Sequence, residues 1–255
     1  MKIAAWNVNS LTVRLPHVLE WAKSADPDVL ALQEIKLLTE AFPLERFTES
    51  GYHAIASGQR TYNGVATISR AEPADPVTDI PGFDDAQRRV LATTIDGIRV
   101  VNLYVPNGQN VGSLKYEYKL GWLAALRDYL ATEMSVHDNL VVLGDFNIAP
   151  DDIDVYDPVA WGEGILCSPA ERAALRDLLN LGLIDVFRQF EQPEKSFSWW
   201  DYRAGKFRRN AGLRIDLILA SPALAARCTA SYIDREPRGW DRPSDHTPVV
   251  AEFAL

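Results

Sequence analysis

The stretch Leu140-Val141-Val142-Leu143-Gly144-Asp145-Phe146-Asn147-Ile148-Ala149-Pro150 constrains the fold more than any other in the chain. Its run of apolar residues up to Gly144 reads as a strand buried on both faces. A carboxylate, Asp145, and an amide, Asn147, follow at once. Spaced by two on extended chain they point to the same side, and Pro150 stops the strand from continuing. Such a stretch is either an ordinary loop entry or the floor of a site. Val29-Leu30-Ala31-Leu32-Gln33-Glu34 repeats the pattern, an apolar strand ending in an acid, with a solvated strand end as the plainer reading of Glu34. Ile3 to Val8 is a further strand. Its alternation sets Ile3, Ala5 and Asn7 on one side, so that Asn7 ends a core-facing row, with Ala4, Trp6 and Val8 on the other.

At 255 residues and 47% hydrophobic content the chain has enough material for one large core, and no linker, low-complexity run or charged tail divides it. We therefore expect one domain over residues 1–255. The formal net charge of −9 counts against a polyanionic partner, because the mean field repels it. A carboxylate site for Mg²⁺ or Mn²⁺ is itself acidic, however, and a bound metal reverses the local sign, so the position of the cations matters more than their sum. Cys167 and Cys228 form no CxxC and are too few to brace a secreted fold; they read as buried thiols in a reducing compartment. The start lacks the apolar run of a signal peptide, and nowhere do about 18 apolar residues run together. A cytoplasmic protein without a membrane role is expected, monomeric by default.

Leu15, Val18, Leu19 and Ala22 follow at helical spacing, with Pro16 placed near a first turn, where its missing N–H is tolerated. Gly64–Ser69 and Arg99–Val105 are strand candidates, the second running into Tyr104-Val105-Pro106-Asn107-Gly108, a turn after a phenol. Arg88-Arg89 is a cation pair whose plain reading is surface solvation. Tyr118, Trp122, Ala125, Leu126, Tyr129 and Leu130 trace one face of a long helix starting near Lys115. Lys115 and Lys119 lie at its start, where the helix dipole disfavours cations; an external anion there would remove the conflict. Ser168-Pro169-Ala170-Glu171 is a helix start with a capping box, hence scaffold. Ser196 to Tyr202 packs aromatics beside Arg203, Lys206, Arg208, Arg209 and Arg214, with no acid from Arg203 to Arg214, as suits a surface that stacks on bases and tracks phosphates. Asp216 lies inside the apolar run Leu213–Leu219 and needs a partner. His246 supplies one, since it can give one ring nitrogen to a carboxylate and keep the other for work. His17, His53 and His137 read as surface or packing residues.

Trp6-Asn7-Val8-Asn9, Leu32-Gln33-Glu34, Tyr62-Asn63-Gly64-Val65-Ala66, Tyr104-Val105-Pro106-Asn107-Gly108, Gly144-Asp145-Phe146-Asn147, Leu213-Arg214-Ile215-Asp216 and Ser244-Asp245-His246 together resemble the ordered motif series of the exonuclease III family of abasic-site endonucleases, within the endonuclease/exonuclease/phosphatase superfamily. Each motif alone is weak; the order is specific. The resemblance implies a four-layer α/β/β/α sandwich of two mixed sheets flanked by helices (DNase I-like), with the active site at one edge between the sheets. It implies Mg²⁺-dependent hydrolysis (Mn²⁺ as the alternative) of phosphodiesters in double-stranded DNA, at abasic sites and 3′ ends.

Carried over residue by residue, the resemblance makes Glu34 the principal metal ligand. Asn7 and Asp245 stand close by, and Asp145, Asn147 and His246 belong to the same metal-facing set. Hard oxygen donors are what Mg²⁺ requires. Asp145 activates or orients the attacking water, Asn147 steadies the phosphate, and Tyr104 donates to a phosphate oxygen or the leaving group. His246, oriented by Asp216, is either the general base or the donor to the phosphorane; the sequence leaves open whether Asp145 or His246 takes the proton. Arg88, Asn107, Lys115, Trp199, Arg208 and Arg209 fall where the family contacts DNA, and Leu166, Cys167 and Trp199 are candidate selectors among its activities. A superfamily phosphatase acting on a phosphoinositide or sphingomyelin would share the catalytic set but need a membrane-binding surface, which the sequence lacks. A non-catalytic nucleic-acid-binding regulator on the same scaffold could dispense with the catalytic groups, and here all are present.

Overall fold

The computed structural model describes residues 1–255. The strands in chain order are β1 (Lys2–Asn7), β2 (Val29–Gln33), β3 (His53–Ser57), β4 (Val65–Ser69), β5 (Ala74–Thr78), β6 (Val90–Ile95), β7 (Ile98–Tyr104), β8 (Leu140–Asp145), β9 (Ile184–Asp185), β10 (Asp216–Ala220), β11 (Cys228–Ile233) and β12 (Val249–Phe253). The helices are α1 (Leu11–Ala25), α2 (Leu44–Thr48), α3 (Leu114–Val136), α4 (Pro158–Trp161), α5 (Pro169–Leu179) and α6 (Pro222–Ala225). Two mixed sheets result, one in the order β11-β12-β1-β2-β4-β3 and the other β5-β6-β7-β8-β10-β9.

Period-2 alternation sorts the strands' side chains into three apolar layers. Ala4, Trp6, Leu30 and Leu32 pack outward against Val18, Trp21 and Ala22 of α1. Leu140, Val142, Leu217 and Leu219 pack outward against Trp122, Leu126 and Leu130 of α3 and Leu175 and Leu178 of α5. Between the sheets lie Ile3, Ala5, Val29, Ala31, Val100, Val141, Leu143 and Ile218. The four-layer α/β/β/α sandwich follows, as the resemblance implied. No helix is long and apolar enough to cross a membrane.

At one end of the inter-sheet layer every apolar row turns polar. Ile3-Ala5 continues to Asn7, Val29-Ala31 to Gln33, Val100 to Asn102 and Tyr104, and Val141-Leu143 to Asp145, while Asp216 precedes Ile218. Register then aligns the ends: Asn7 pairs with Gln33, and Tyr104 and Asp216 each pair with Asp145. Gln33 Nε2 donates to Asn102 Oδ1 (2.8 Å), and Asn102 Nδ2 donates to the Ala66 carbonyl (2.9 Å), so a polar clamp joins the sheets behind the open end. Gly144 is required here. Its φ is +138°, and a Cβ would sit on the Leu103 carbonyl of the neighbouring strand.

Three expectations change. Helix α1 begins at Leu11, so Pro16 lies inside it, without the N–H that would bond one turn back, rather than near its first turn. Leu213 and Arg214 precede β10 instead of joining it; Leu213 bridges Val155 and Trp199. Cys167 is buried, but Cys228, on edge strand β11, is only half-buried; both are free.

Candidate active site between the sheets

The polar row ends meet the loops that follow them. Glu34 leaves β2 in the left-handed region at φ +50°, which turns it off the strand toward β1. Asn7 Nδ2 donates to Glu34 Oε1 and to Asp145 Oδ2, both at 2.9 Å, so one buried amide joins a carboxylate of each sheet. Asn7 Oδ1 accepts the Asn9 N–H (3.0 Å). Asp145 Oδ1 accepts the Asn147 N–H (2.8 Å), a turn closed by Asn147 at φ +49°, a conformation asparagine tolerates.

His246 arrives on the segment before β12. Its Nδ1 lies 2.9 Å from Asp216 Oδ2 and its Nε2 3.7 Å from Asp145 Oδ2, placing the ring between two carboxylates. Two serines that carry no predicted role fix this arrangement. Ser198 Oγ accepts the N–H groups of Ile215 and Asp216 (3.1 Å each), and Ser244 Oγ donates to the Asn7 carbonyl (2.6 Å) while accepting the His246 N–H (3.2 Å). Ser198 carries no distinguishing local pattern, and for Ser244 the signal was its place in Ser244-Asp245-His246.

Burial opposes charge on His246, but Asp216 and Asp145 outweigh it and raise its pKa to about 10. Burial is also the largest influence on Asp145; opposed by His246 and reinforced by Asp216, it lifts the carboxyl to about 7. Tyr104 is pushed well above its ordinary value by burial and then by Glu34 and Asp145, which keeps its hydroxyl a donor. One ligand atom each from Glu34, Asp145 and His246 lie within 4.8 Å of one another. Converging hard oxygen donors with excess negative charge fit a divalent cation.

The remaining predicted residues divide. Asn107 Nδ2 donates to Asn147 Oδ1 (3.0 Å), joining the site directly. Asp245 stands outside the three converging groups; Asn9 Nδ2 (2.9 Å) and Trp199 Nε1 (3.0 Å) both donate to it. Trp199 also lies 6.5 Å, centroid to centroid, from His246. Leu166 and Cys167 pack in one small apolar cluster with Leu213 and Ile215, and Trp199 borders it. Arg88 is ion-paired to Asp79. Its neighbour Arg89 lies 4.7 Å from the Tyr104 ring centroid and donates to the Tyr104 carbonyl (3.1 Å). Arg89, Tyr104, Asn63, Gln87, Asn107 and Lys115 line a cleft of about 680 Å³ beside the site.

Two charge readings are corrected. The basic loop thins on folding: Arg214 is buried against Asp154 and Asp185, Arg203 pairs with Asp201, and Lys206 donates to Tyr156 Oη, which leaves Arg208 and Arg209 as its exposed cations without an ion-pair partner. The anion expected from outside at the start of α3 is internal, because Lys119 is fully buried and paired with Glu171. Lys36, which the sequence reading did not place, sits 3.0 Å from Glu34 Oε2 and donates to Asn9 Oδ1. Its only signal was its place two residues after Glu34.

The profile of the Endonuclease/Exonuclease/phosphatase family matches residues 4–246. Exodeoxyribonuclease III of Haemophilus influenzae is 38% identical to the chain over 267 aligned residues, which cover 99% of this chain and 100% of that protein. Among solved structures, a Neisseria 3′ phosphatase bound to a product DNA hairpin superposes with a TM-score of 0.98 at 49% identity, and an AP endonuclease from Archaeoglobus fulgidus with 0.96 at 40%; each match covers 100% of both chains.

Proposed function

The chain belongs to the endonuclease/exonuclease/phosphatase family, and on that premise we propose that it is a divalent-metal-dependent DNA repair nuclease hydrolysing phosphodiesters at abasic sites and 3′ ends of duplex DNA. The observation that carries this reading is the meeting of Glu34 and His246, from segments flanking strands of one sheet, with Asp145 at the end of β8 in the other, every one held by a named partner. We read the chain as a single domain acting in the cytoplasm as a monomer, with Mg²⁺ as the ion and Mn²⁺ as a substitute.

Water is a poor nucleophile and an alkoxide a poor leaving group. Glu34 and Asp145, with Asn7 orienting both, would hold the cation, which supplies Lewis-acid stabilisation of phosphate charge. Asp145 then accepts the proton of the attacking water: the Asn147 N–H fixes one of its oxygens, and burial lifts its carboxyl to about 7, near the working pH of a base. His246, lying between two carboxylates, serves as a charged donor to the phosphate rather than as the base. Tyr104 donates to a phosphate or leaving oxygen, and Asn147, braced by Asn107, steadies the phosphate. Lys115, Arg208, Arg209 and Trp199 contact the duplex on either side. Leu166, Cys167 and Trp199, which meet in one apolar cluster, select among the family's activities.

The test is an end-labelled duplex carrying one abasic site, assayed beside an intact duplex and one with a 3′-phosphate. Incision 5′ to the lesion or processing of the 3′ end, abolished by EDTA, is the expected result. No metal-dependent product from any of the three would overturn the reading.

A further inference from the structure

Lys119 is a fully buried ammonium with each of its three N–H groups engaged. It donates to the main-chain carbonyls of Asn147 (2.7 Å) and Asn107 (3.2 Å) and to Glu171 Oε1. Those carbonyls belong to separate loops, one after β8 and one after β7, whose side chains bond each other across the site. Glu171 in turn accepts the N–H groups of Leu166 and Ser168 (3.1 Å each) and the Ser168 hydroxyl (2.6 Å), which fixes the carboxylate to the start of α5.

A buried ion pair contributes little to stability that apolar side chains of similar volume would not, because desolvation offsets the attraction. What the apolar side chains would not supply is direction. An ammonium aims donors at two carbonyls at once, and that is what two loops meeting at one phosphate require. Asn147 is left-handed at its Cα, where the peptide carrying its N–H, which orients Asp145, joins the peptide carrying its carbonyl. Fixing the Asn147 carbonyl holds that left-handed turn, and through it the N–H that orients the carboxylate which accepts the water proton.

We propose that Lys119, with Glu171 as its internal counter-ion, is a positioning residue for the reaction: it locks Asn107 and Asn147 together and, through the Asn147 N–H, orients Asp145. The inference rests on the nuclease reading above and deepens it by extending the active site one layer into the helices.

The test replaces both charges at once, Lys119→Met with Glu171→Gln, because glutamine preserves the capping box at Ser168 and neither residue is left as an unpaired buried ion. Melting temperature, kcat and KM are measured beside the parent on a duplex that the parent cleaves. We expect kcat to fall about 10²-fold, as for displaced catalytic groups. KM should stay within about threefold, and the melting temperature within about 4 °C. A folded double variant with kcat within about threefold of the parent would overturn the proposal, and so would one that is unfolded at the assay temperature, since the pair would then be a stability element. Lys119→Arg, which keeps charge and donors, should recover at least about a tenth of the parent kcat; a loss as deep as the methionine variant's would count against positioning. In a cycle with Asn107→Ala the losses should overlap rather than add, and independent addition would also overturn it. A parent that cleaves nothing fails the nuclease reading itself, whereas an active parent with unaffected variants fails only this inference.

Discussion

In the proposed mechanism His246 is the residue on which the chemistry turns, because its neighbours decide which form of the ring does the work. Asp216 and Asp145 outweigh burial and raise its pKa to about 10, so the ring is charged at neutral pH and loses its proton only in alkali. Activity that needs the charged ring is therefore present below that pKa and lost as pH rises through it. Asp216→Asn removes one of the two charges that raise it. The alkaline limb of the kcat profile should move to lower pH by about 1–3 units, the range for losing one close opposite charge. An unmoved limb would exclude His246 as the charged donor. The pairing itself was legible in the sequence, because a carboxylate inside an apolar run demands a partner and few polar groups could reach it. Ser198 behind it was not, since a hydroxyl that satisfies two backbone N–H groups carries the same letter as one in solvent.

Among the elements, strands in the middle of the two sheets (β1, β2, β4, β7, β8 and β10) were legible, whereas edge strands such as β3, β5, β9 and β11 and the loops were not. Alternation along Ile3–Asn7 and the apolar runs into Glu34 and Asp145 set the polar ends on the right faces, because the side-chain period of a strand is fixed by its backbone. Loop cations obey no such period. Of the five between Arg203 and Arg214, three are taken by partners far away in sequence or by a local acid, and the sequence could not say which. Lys119 shows the same limit, since its anion lies on α5, 52 residues on. Arg208 and Arg209 remain exposed, so Arg208→Ala with Arg209→Ala should weaken duplex binding. The slope of log affinity against log salt should shrink by about two if both meet phosphates. An unchanged slope in a salt titration would remove the loop from the DNA path.

For the molecule as a whole, a net charge of −9 and a polyanionic substrate are reconciled by where the charges stand. Acids gather at the open end between the sheets, where a cation would reverse their sign, while Lys115 lines the neighbouring cleft and Arg208 and Arg209 stay exposed without an ion-pair partner. Three apolar layers make up the core, and the cation site lies at their polar edge. Mg²⁺ at about 100 times its dissociation constant should stabilise the protein by about 2.7 kcal/mol through binding the native state alone. Glu34→Gln should lose most of that gain in a thermal melt, and an undiminished gain would place the ion elsewhere. The central claim, that Asp145 accepts the proton of the attacking water, is tested most directly by the single-turnover cleavage rate of Asp145→Asn at saturating metal on a duplex the parent cleaves. The rate should fall by about 10²–10⁴-fold, the contribution of a positioned base, with the duplex still bound. A rate within about tenfold of the parent's would contradict it and return the proton to His246.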